Sequence, residues 1–196
     1  MPIHDELGIR MKTFYEQIPK TKLMRRTPVA IRIDGKAFHT FTRGFQKPFD
    51  EVLIKSMQET MKYLCENIQG CVLGYTQSDE ITLILIDYKK LNSDAWFDYE
   101  VQKMCSIAAS MATFQFNRVF LNQCTQWFED MSFFDVDDTG EFTIPNEAKD
   151  LFNAYSNAAK RGAMFDARCF NIPKEEVTNL IYWRQLDATR NSIQMV

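Results

Sequence analysis

The sequence predicts an α+β fold, an antiparallel sheet with helices on one face. The arrangement is the split β-α-β unit of ferredoxin-like type, followed by a C-terminal helical segment. Three observations lead there. Residues 71–87, CVLGYTQSDEITLILID, are two short apolar runs around a polar tip, the pattern of a β-hairpin. Residues 29–36, VAIRIDGK, form another such run, which ends in a carboxylate and a glycine. Helical periodicity separates these runs from each other and from a last run at 165–170, giving the order strand, helix, hairpin, helix, strand.

The elements follow in order. Met11, Phe14, Tyr15 and Ile18 recur at helical spacing until Pro19, so residues 1–26 read as an amphipathic helix and a basic loop. A strand over 29–34 follows Pro28. The loop 36–48 mixes aromatics with cations, which suits either stacking on a base or anchoring the core. Asp50 is positioned to cap a helix whose apolar stripe is Leu53, Met57, Met61 and Leu64. In the hairpin, Cys71–Tyr75 and Ile81–Ile86 are the arms and 77–80 the tip. The second arm is apolar at nearly every position, so both of its faces should be covered. A second long helix carries Val101, Met104, Ala108, Ala112, Phe116 and Phe120 on one side, with small residues that permit close packing on a sheet. Residues 129–163 read as an acidic insertion, with a turn at Asp138-Thr139-Gly140 and a short helix near 146–160. After the strand 165–170, Pro173 opens a helix with Val177, Leu180, Ile181 and Trp183 on its apolar side. The expected organisation is thus 1–26, a central domain over 27–172 containing the insertion, and a C-terminal helix over 173–196.

Composition sets the outer limits. A chain of 196 residues with 45% hydrophobic content suits one globular domain. No stretch approaches the roughly 20 apolar residues needed to cross a bilayer, and the charged N-terminus does not read as a signal peptide. Five scattered cysteines without a C-x-x-C pair, and only two histidines, argue against structural zinc and against a disulfide framework. Reduced thiols and a cytoplasmic location are expected. The net charge is −3, but residues 25–47 hold Arg25, Arg26, Arg32, Lys36, Arg43 and Lys47 against the single acid Asp34. Such a local excess can bind phosphates while the total charge stays negative.

The chemistry centres on two acids at strand ends. If the strand 29–34 lies beside the hairpin, Asp34 and Asp79 can face each other and hold Mg²⁺. Each acid taken singly could merely cap a turn. Two together, beside Lys36, His39 and Lys47, suit a metal–phosphate site. Glu80, adjacent to Asp79, points to the opposite face of a straight strand, which makes it a hairpin-tip residue supporting the catalytic pair rather than a second ligand to one ion.

These residues carry a resemblance. Arg32-Ile33-Asp34-Gly35-Lys36-Ala37-Phe38-His39, Lys47-Pro48-Phe49-Asp50 and Gly74-Tyr75-Thr76-Gln77-Ser78-Asp79-Glu80 resemble the tRNA-His guanylyltransferase family. Lys103 with Ala109-Ser110, Phe165-Asp166-Ala167-Arg168 and Trp183-Arg184-Gln185-Leu186-Asp187 fit it further downstream. The resemblance spans roughly 28–192 and implies a polymerase palm that adds nucleotides to the 5′ end of tRNA, in the 3′–5′ direction. A 5′ monophosphate would first receive AMP from ATP, and the 3′-hydroxyl of GTP or another NTP would then attack. Asp34, Asp79 and the Gly35 carbonyl would bind two Mg²⁺ ions, with Asp34, Asp79 and Glu80 as the catalytic acids. Asp34, Gly35, Lys36, Ala37, Phe38, His39, Ser78 and Asp79 would contact the nucleotide, and Lys47 and Lys103 its phosphates. The partners implied are tRNA, nucleoside triphosphates and, as a homodimer or tetramer, further copies of the chain.

Two departures refine this. The eukaryotic members carry a His-Ile-Asn-Asn segment after Trp-Arg-Gln, where this chain has Asp187-Ala188-Thr189-Arg190-Asn191-Ser192. That is similar to the guanylyltransferase-like branch, which implies templated repair of 5′-truncated tRNA rather than untemplated G addition to tRNA-His. The C-terminal extension of full-length members is also expected to be missing. Other classes fit less well. Palm-type cyclases place glycines, not Gln77-Ser78, before the acid pair. Haloacid-dehalogenase-type phosphatases would need an aspartate at Arg32. A non-catalytic RNA-binding sheet would want exposed aromatics where Ile81–Ile86 offers aliphatics and Thr82.

Overall fold

The structure is a computed structural model that describes residues 5–130, 135–136, 142–143 and 146–194. Its elements are α1 (Glu6–Met11), running into a π-helical turn (Lys12–Glu16), then β1 (Val29–Gly35), α2 (Phe38–Phe41), α3 (Glu51–Asn67), β2 (Cys71–Gln77) and β3 (Glu80–Leu85). After a 3₁₀ turn (Trp96–Tyr99) come α4 (Val101–Asp130), the two-residue strands β4 (Asp135–Val136) and β5 (Phe142–Thr143), and α5 (Asn146–Arg161). β6 (Phe165–Asn171), a 3₁₀ turn (Lys174–Glu176) and α6 (Val177–Gln194) complete the order. The turn expected at Asp138-Thr139-Gly140 lies outside the described residues.

The main sheet has the order β2-β3-β1-β6, antiparallel throughout, which is the split β-α-β arrangement. Alternation along the strands sorts its two faces. Val29, Ile31 and Ile33 of β1 and Ile81, Leu83 and Leu85 of β3 enter one core with Met57 and Leu64 of α3 and Met104, Ala108, Ala112, Phe116 and Phe120 of α4. Ala30 and Ile84 face the other way and meet Leu180, with Val177 beside them, so α6 covers the second face. Every residue of β3 is buried, as its continuous apolar run requires. The side chain of Asp50 caps α3 through the Leu53 N–H at 2.9 Å. Asp50 also accepts from the Tyr155 hydroxyl at 2.8 Å, tying α5 to the start of α3.

Three expectations change here. Met11, Phe14 and Tyr15 lie on the helical segment that ends at Glu16 and Ile18 in the turn after it, but all four are exposed and their stripe covers no core among the described residues. The hairpin tip is narrower than 77–80, because the strands run to Gln77 and from Glu80, leaving a two-residue turn of Ser78 and Asp79. Finally, Phe38, Phe41 and Phe45 point inwards, with ring centroids 5.0 Å (38–41) and 5.8 Å (41–45) apart, and join Phe116, Phe120, Tyr155 and Phe165. The aromatics of the 36–48 loop therefore anchor the core.

Candidate active site

β1 and β3 pair directly, Asp34 opposite Glu80, and β6 sets Asp166 on the other side of Asp34. The Gly35 N–H donates to the Asp79 carbonyl at 3.1 Å, so the end of β1 is stitched to the hairpin turn. This brings Asp34 and Asp79 together, as their sequence positions predict. Burial pushes the Asp79 carboxyl above its ordinary value. The negative charge of Asp34 adds to the rise, while a hydrogen bond from the Ser78 hydroxyl at 2.9 Å opposes it. Neither acid has a cationic partner among the described residues. Nor do three or more acid, cysteine or histidine side chains gather there into a metal-binding group. Two hard carboxylates without a neutralising residue suit Mg²⁺, which takes one or two carboxylates and completes its shell with water and substrate phosphates.

Gly35 is fixed by packing as well as by pairing: a Cβ there would run into the buried Phe38 ring. Ala37 takes a left-handed conformation (φ 53°) at the start of α2, and Ser78 does so in the hairpin turn (φ 49°). Lys36 and His39 are exposed beside the pair, and the Lys36 N–H is bonded to the Met164 carbonyl at 2.8 Å. Phe38 was expected at the nucleotide, but its side chain belongs to the core, leaving only its backbone for a ligand. Lys47 is exposed in the loop that leads to the Asp50 cap.

Lys103 lies elsewhere. It is in the first turn of α4, its ammonium 4.8 Å from the Phe97 ring centre, and Val101 there is bonded to Thr21. The part of α4 that touches the site end is Thr113, whose hydroxyl accepts from the Phe165 N–H. Ten residues of helix separate the two, about 15 Å at 1.5 Å per residue. Within this chain Lys103 therefore lies away from the Asp34–Asp79 end.

Glu80 is the first residue of β3, not part of the turn, and is 5% exposed. Its carboxylate receives Arg184 Nε at 2.7 Å and lies 3.3 Å from Arg32 Nε, an ion pair without hydrogen-bond alignment. Gln77 donates to the Arg184 carbonyl at 2.6 Å and accepts from the Tyr75 hydroxyl at 2.6 Å. Both strands of the hairpin are thus gripped by α6 immediately beside the turn that carries Asp79. Sequence reasoning put Trp183 on the inner side of α6, whereas Trp183 is exposed and Arg184 is buried. The signal was available: Val177, Leu180 and Arg184 have the i, i+3, i+7 spacing of one helix face.

The family model described as tRNAHis guanylyltransferase (Thg1) matches residues 8–173. The chain belongs to the tRNAHis guanylyltransferase family. Among solved structures, a bacterial Thg1-like protein in complex with ATP superposes with a TM-score of 0.74 at 39% identity, covering 96% of this chain and 68% of that one. The complex with GTP gives 0.72 at 39% identity, covering 97% and 75%. The Saccharomyces cerevisiae enzyme, at 21% identity and a TM-score of 0.58, shares the fold. Among curated relatives, an uncharacterized protein of Acanthamoeba polyphaga mimivirus is 30% identical, covering 98% of this chain and 62% of its own length. The tRNA(His) guanylyltransferase of Schizosaccharomyces pombe is 30% identical over 91% of this chain and 55% of its own. The chain thus spans rather more than half the length of these two curated relatives. Among the described residues no helix is long and apolar enough to cross a membrane.

Proposed function

We propose that this member of the Thg1 family is a nucleotidyltransferase that extends the 5′ end of tRNA in the 3′–5′ direction, repairing a truncated end against the opposite strand. The observation that carries the reading is the Asp34–Asp79 pair, delivered by two stitched backbone segments and left without an ion-pair partner among the described residues. In this reading Asp34, Asp79 and the Gly35 carbonyl hold two Mg²⁺ ions. When bound, the ions supply electrostatic stabilisation of the reacting phosphates and of the departing pyrophosphate. Lys36, His39 and the backbone of Gly35–Phe38 orient the nucleotide, with Ser78 beside them and Lys47 at the rim. Glu80 acts one step removed, fixing the hairpin through Arg184 rather than binding an ion.

Two transfers follow. A 5′ monophosphate attacks the α-phosphorus of ATP and pyrophosphate leaves. The 3′-hydroxyl of an NTP then attacks the adenylylated end, a phosphodiester forms and AMP leaves. The ATP and GTP complexes of the bacterial relative support both nucleotides as ligands, and the Asp187–Ser192 segment supports the repair branch. Base pairing then selects the NTP, since a site that demands pairing rejects partners that lack it.

The test uses tRNA lacking its 5′ nucleotide, with ATP, Mg²⁺ and each labelled NTP, while the opposing base is set to A, C, G or U. The added base should follow the opposing base. Asp34→Ala and Asp79→Ala should each lower incorporation by orders of magnitude with an unchanged far-UV spectrum. Equal addition of G in all four cases would replace repair by untemplated guanylylation. A loss of only a few-fold in either variant would remove the two-metal assignment.

A further inference from the structure

The basic stretch 25–47 does not stay together in space. Arg25 donates to Asp87 at 2.6 Å and to Asp98 at 3.0 Å, and Arg26 is bonded through its backbone and guanidinium to Asp87, all at the end of the sheet away from Asp34. Arg32 is turned onto Glu80. What remains of the stretch beyond Asp34 is Lys36, His39, Arg43 and Lys47, all exposed and with no carboxylate partner among the described residues. Of the acids on neighbouring elements, Asp166 pairs with Arg168 and Glu51 with Lys55, while Asp150 of α5 has no ion-pair partner among the described residues.

A further cation arrives from the segment that its composition marks as acidic. α5 ends in Lys160 and Arg161, and Arg161 Nη1 donates to the Thr40 carbonyl at 2.7 Å. Gly44, next to Arg43, backs onto Ala154, which lies on the same face of α5 as Arg161. The Lys36 N–H bond to Met164 continues the contact beyond α5. Arg161 is therefore held against the α2 loop by a neutral acceptor, with no carboxylate partner among the described residues.

We infer that Arg43 and Arg161 form an RNA-backbone docking surface on the outer side of the Asp34–Asp79 site, with α5 of the insertion supplying part of it. This rests on reading the site as one that acts on an RNA end. A triphosphate would call for convergent, partly enclosed donors. Arg43 and Arg161 come from separate elements, are exposed, and lie outside the turn that carries Asp79, which suits a chain that offers one phosphate to each cation.

The experiment measures binding of 5′-truncated tRNA by fluorescence anisotropy over a series of KCl concentrations, for the wild type, Arg43→Ala, Arg161→Gln and the pair. Arg161→Gln keeps an N–H donor for the Thr40 carbonyl, and matched thermal melts check folding. Should Arg161→Gln melt early, Arg43→Ala alone decides. The double variant should bind on the order of ten-fold more weakly at low salt, with the slope of log K against log salt shallower by roughly 1–2. Mg²⁺-dependent GTP binding, measured separately, should not change. Unaltered RNA affinity and slope would overturn the assignment, as would absence of RNA binding by the wild type. An equal loss of GTP binding would also overturn it, by making these cations triphosphate ligands. A wild type that binds RNA with this charge dependence but incorporates no nucleotide would instead refute the enzymatic reading and leave the surface standing.

Discussion

Replacing Arg184 by methionine removes the cation that α6 presents to the hairpin while keeping most of the apolar volume. Arg184 and Glu80 have side chains only 8% and 7% exposed, with Nε and Oε1 2.7 Å apart. Removing one partner of a buried pair strands the other, at about 3–5 kcal/mol. Arg32 stays 3.3 Å from the second Glu80 oxygen and offsets part of this, while the Asp187 bridge is partly solvated and contributes at most about 1 kcal/mol. A loss of about 3 kcal/mol is therefore expected, a large share of the roughly 5–15 kcal/mol that holds a domain together. The assay is the urea midpoint of Arg184→Met, Glu80→Gln and the double variant. With the carboxylate neutralised the arginine matters less, so the double variant should lose at least about 1 kcal/mol less than the sum of the singles. A single-variant loss below about 1 kcal/mol, or strict additivity, would refute the idea that the buried pair secures the hairpin.

Two other outcomes are expected. The carboxyl of Asp79 is pushed up on folding, so the native chain holds that proton more tightly than the unfolded one. Stability contributed by the protonated form is then lost as pH rises from the unfolded value near ~3.9 through the raised native one. Asp79→Asn should accordingly melt higher than wild type at neutral pH in EDTA, with the gap closing in acid and on adding Mg²⁺ with GTP to the wild type. A variant that melts lower at neutral pH would contradict the burial argument. Gly35→Ala forces a methyl into the Phe38 ring, which three neighbouring aromatics hold with centroids 5.0–5.6 Å away. A loss of about 1–3 kcal/mol in the thermal melt is expected, partly recovered by Phe38→Leu, and an unshifted melt would show that the ring yields.

Much of this was legible in the residues. The unbroken apolar run of β3 announced a strand covered on both faces, and Asp34-Gly35 and Ser78-Asp79 marked the ends that meet. The aromatic loop was ambiguous because its composition suits a base as well as a core. The i, i+3 spacing of Phe38 and Phe41 puts both on one face of the short α2, while Phe45 reaches the same core from beyond its end, which periodicity does not reveal. The distance of Lys103 from the acids was not legible, because family motifs are ordered along the chain and carry no information about which end of a 30-residue helix faces the acids. The splitting of the basic stretch was invisible for a similar reason. Asp87 and Asp98, which take up Arg25, lie over 60 residues away in sequence. Met11, Phe14 and Tyr15 are helical as their spacing predicts and Ile18 is not, and periodicity identifies an apolar face without saying whether this chain supplies anything to cover it.

The grip of α6 on the hairpin also has a consequence for the newborn chain. Arg184 and Glu80 are 104 residues apart, and Gln77 is 107 from the carbonyl it bonds. At roughly 5–20 residues per second of translation, Glu80 spends about 5–20 s outside the ribosome's reach of its partner. β1, the hairpin and α3 can collapse locally in that interval, but the acid must stay hydrated until α6 arrives. Closure over the second face is then a late, long-range event, of the kind that slows folding. A ribosome stalled before codon 184 would therefore present a sheet with one face open, and binding of nucleotide to such a nascent chain should appear only once α6 has emerged.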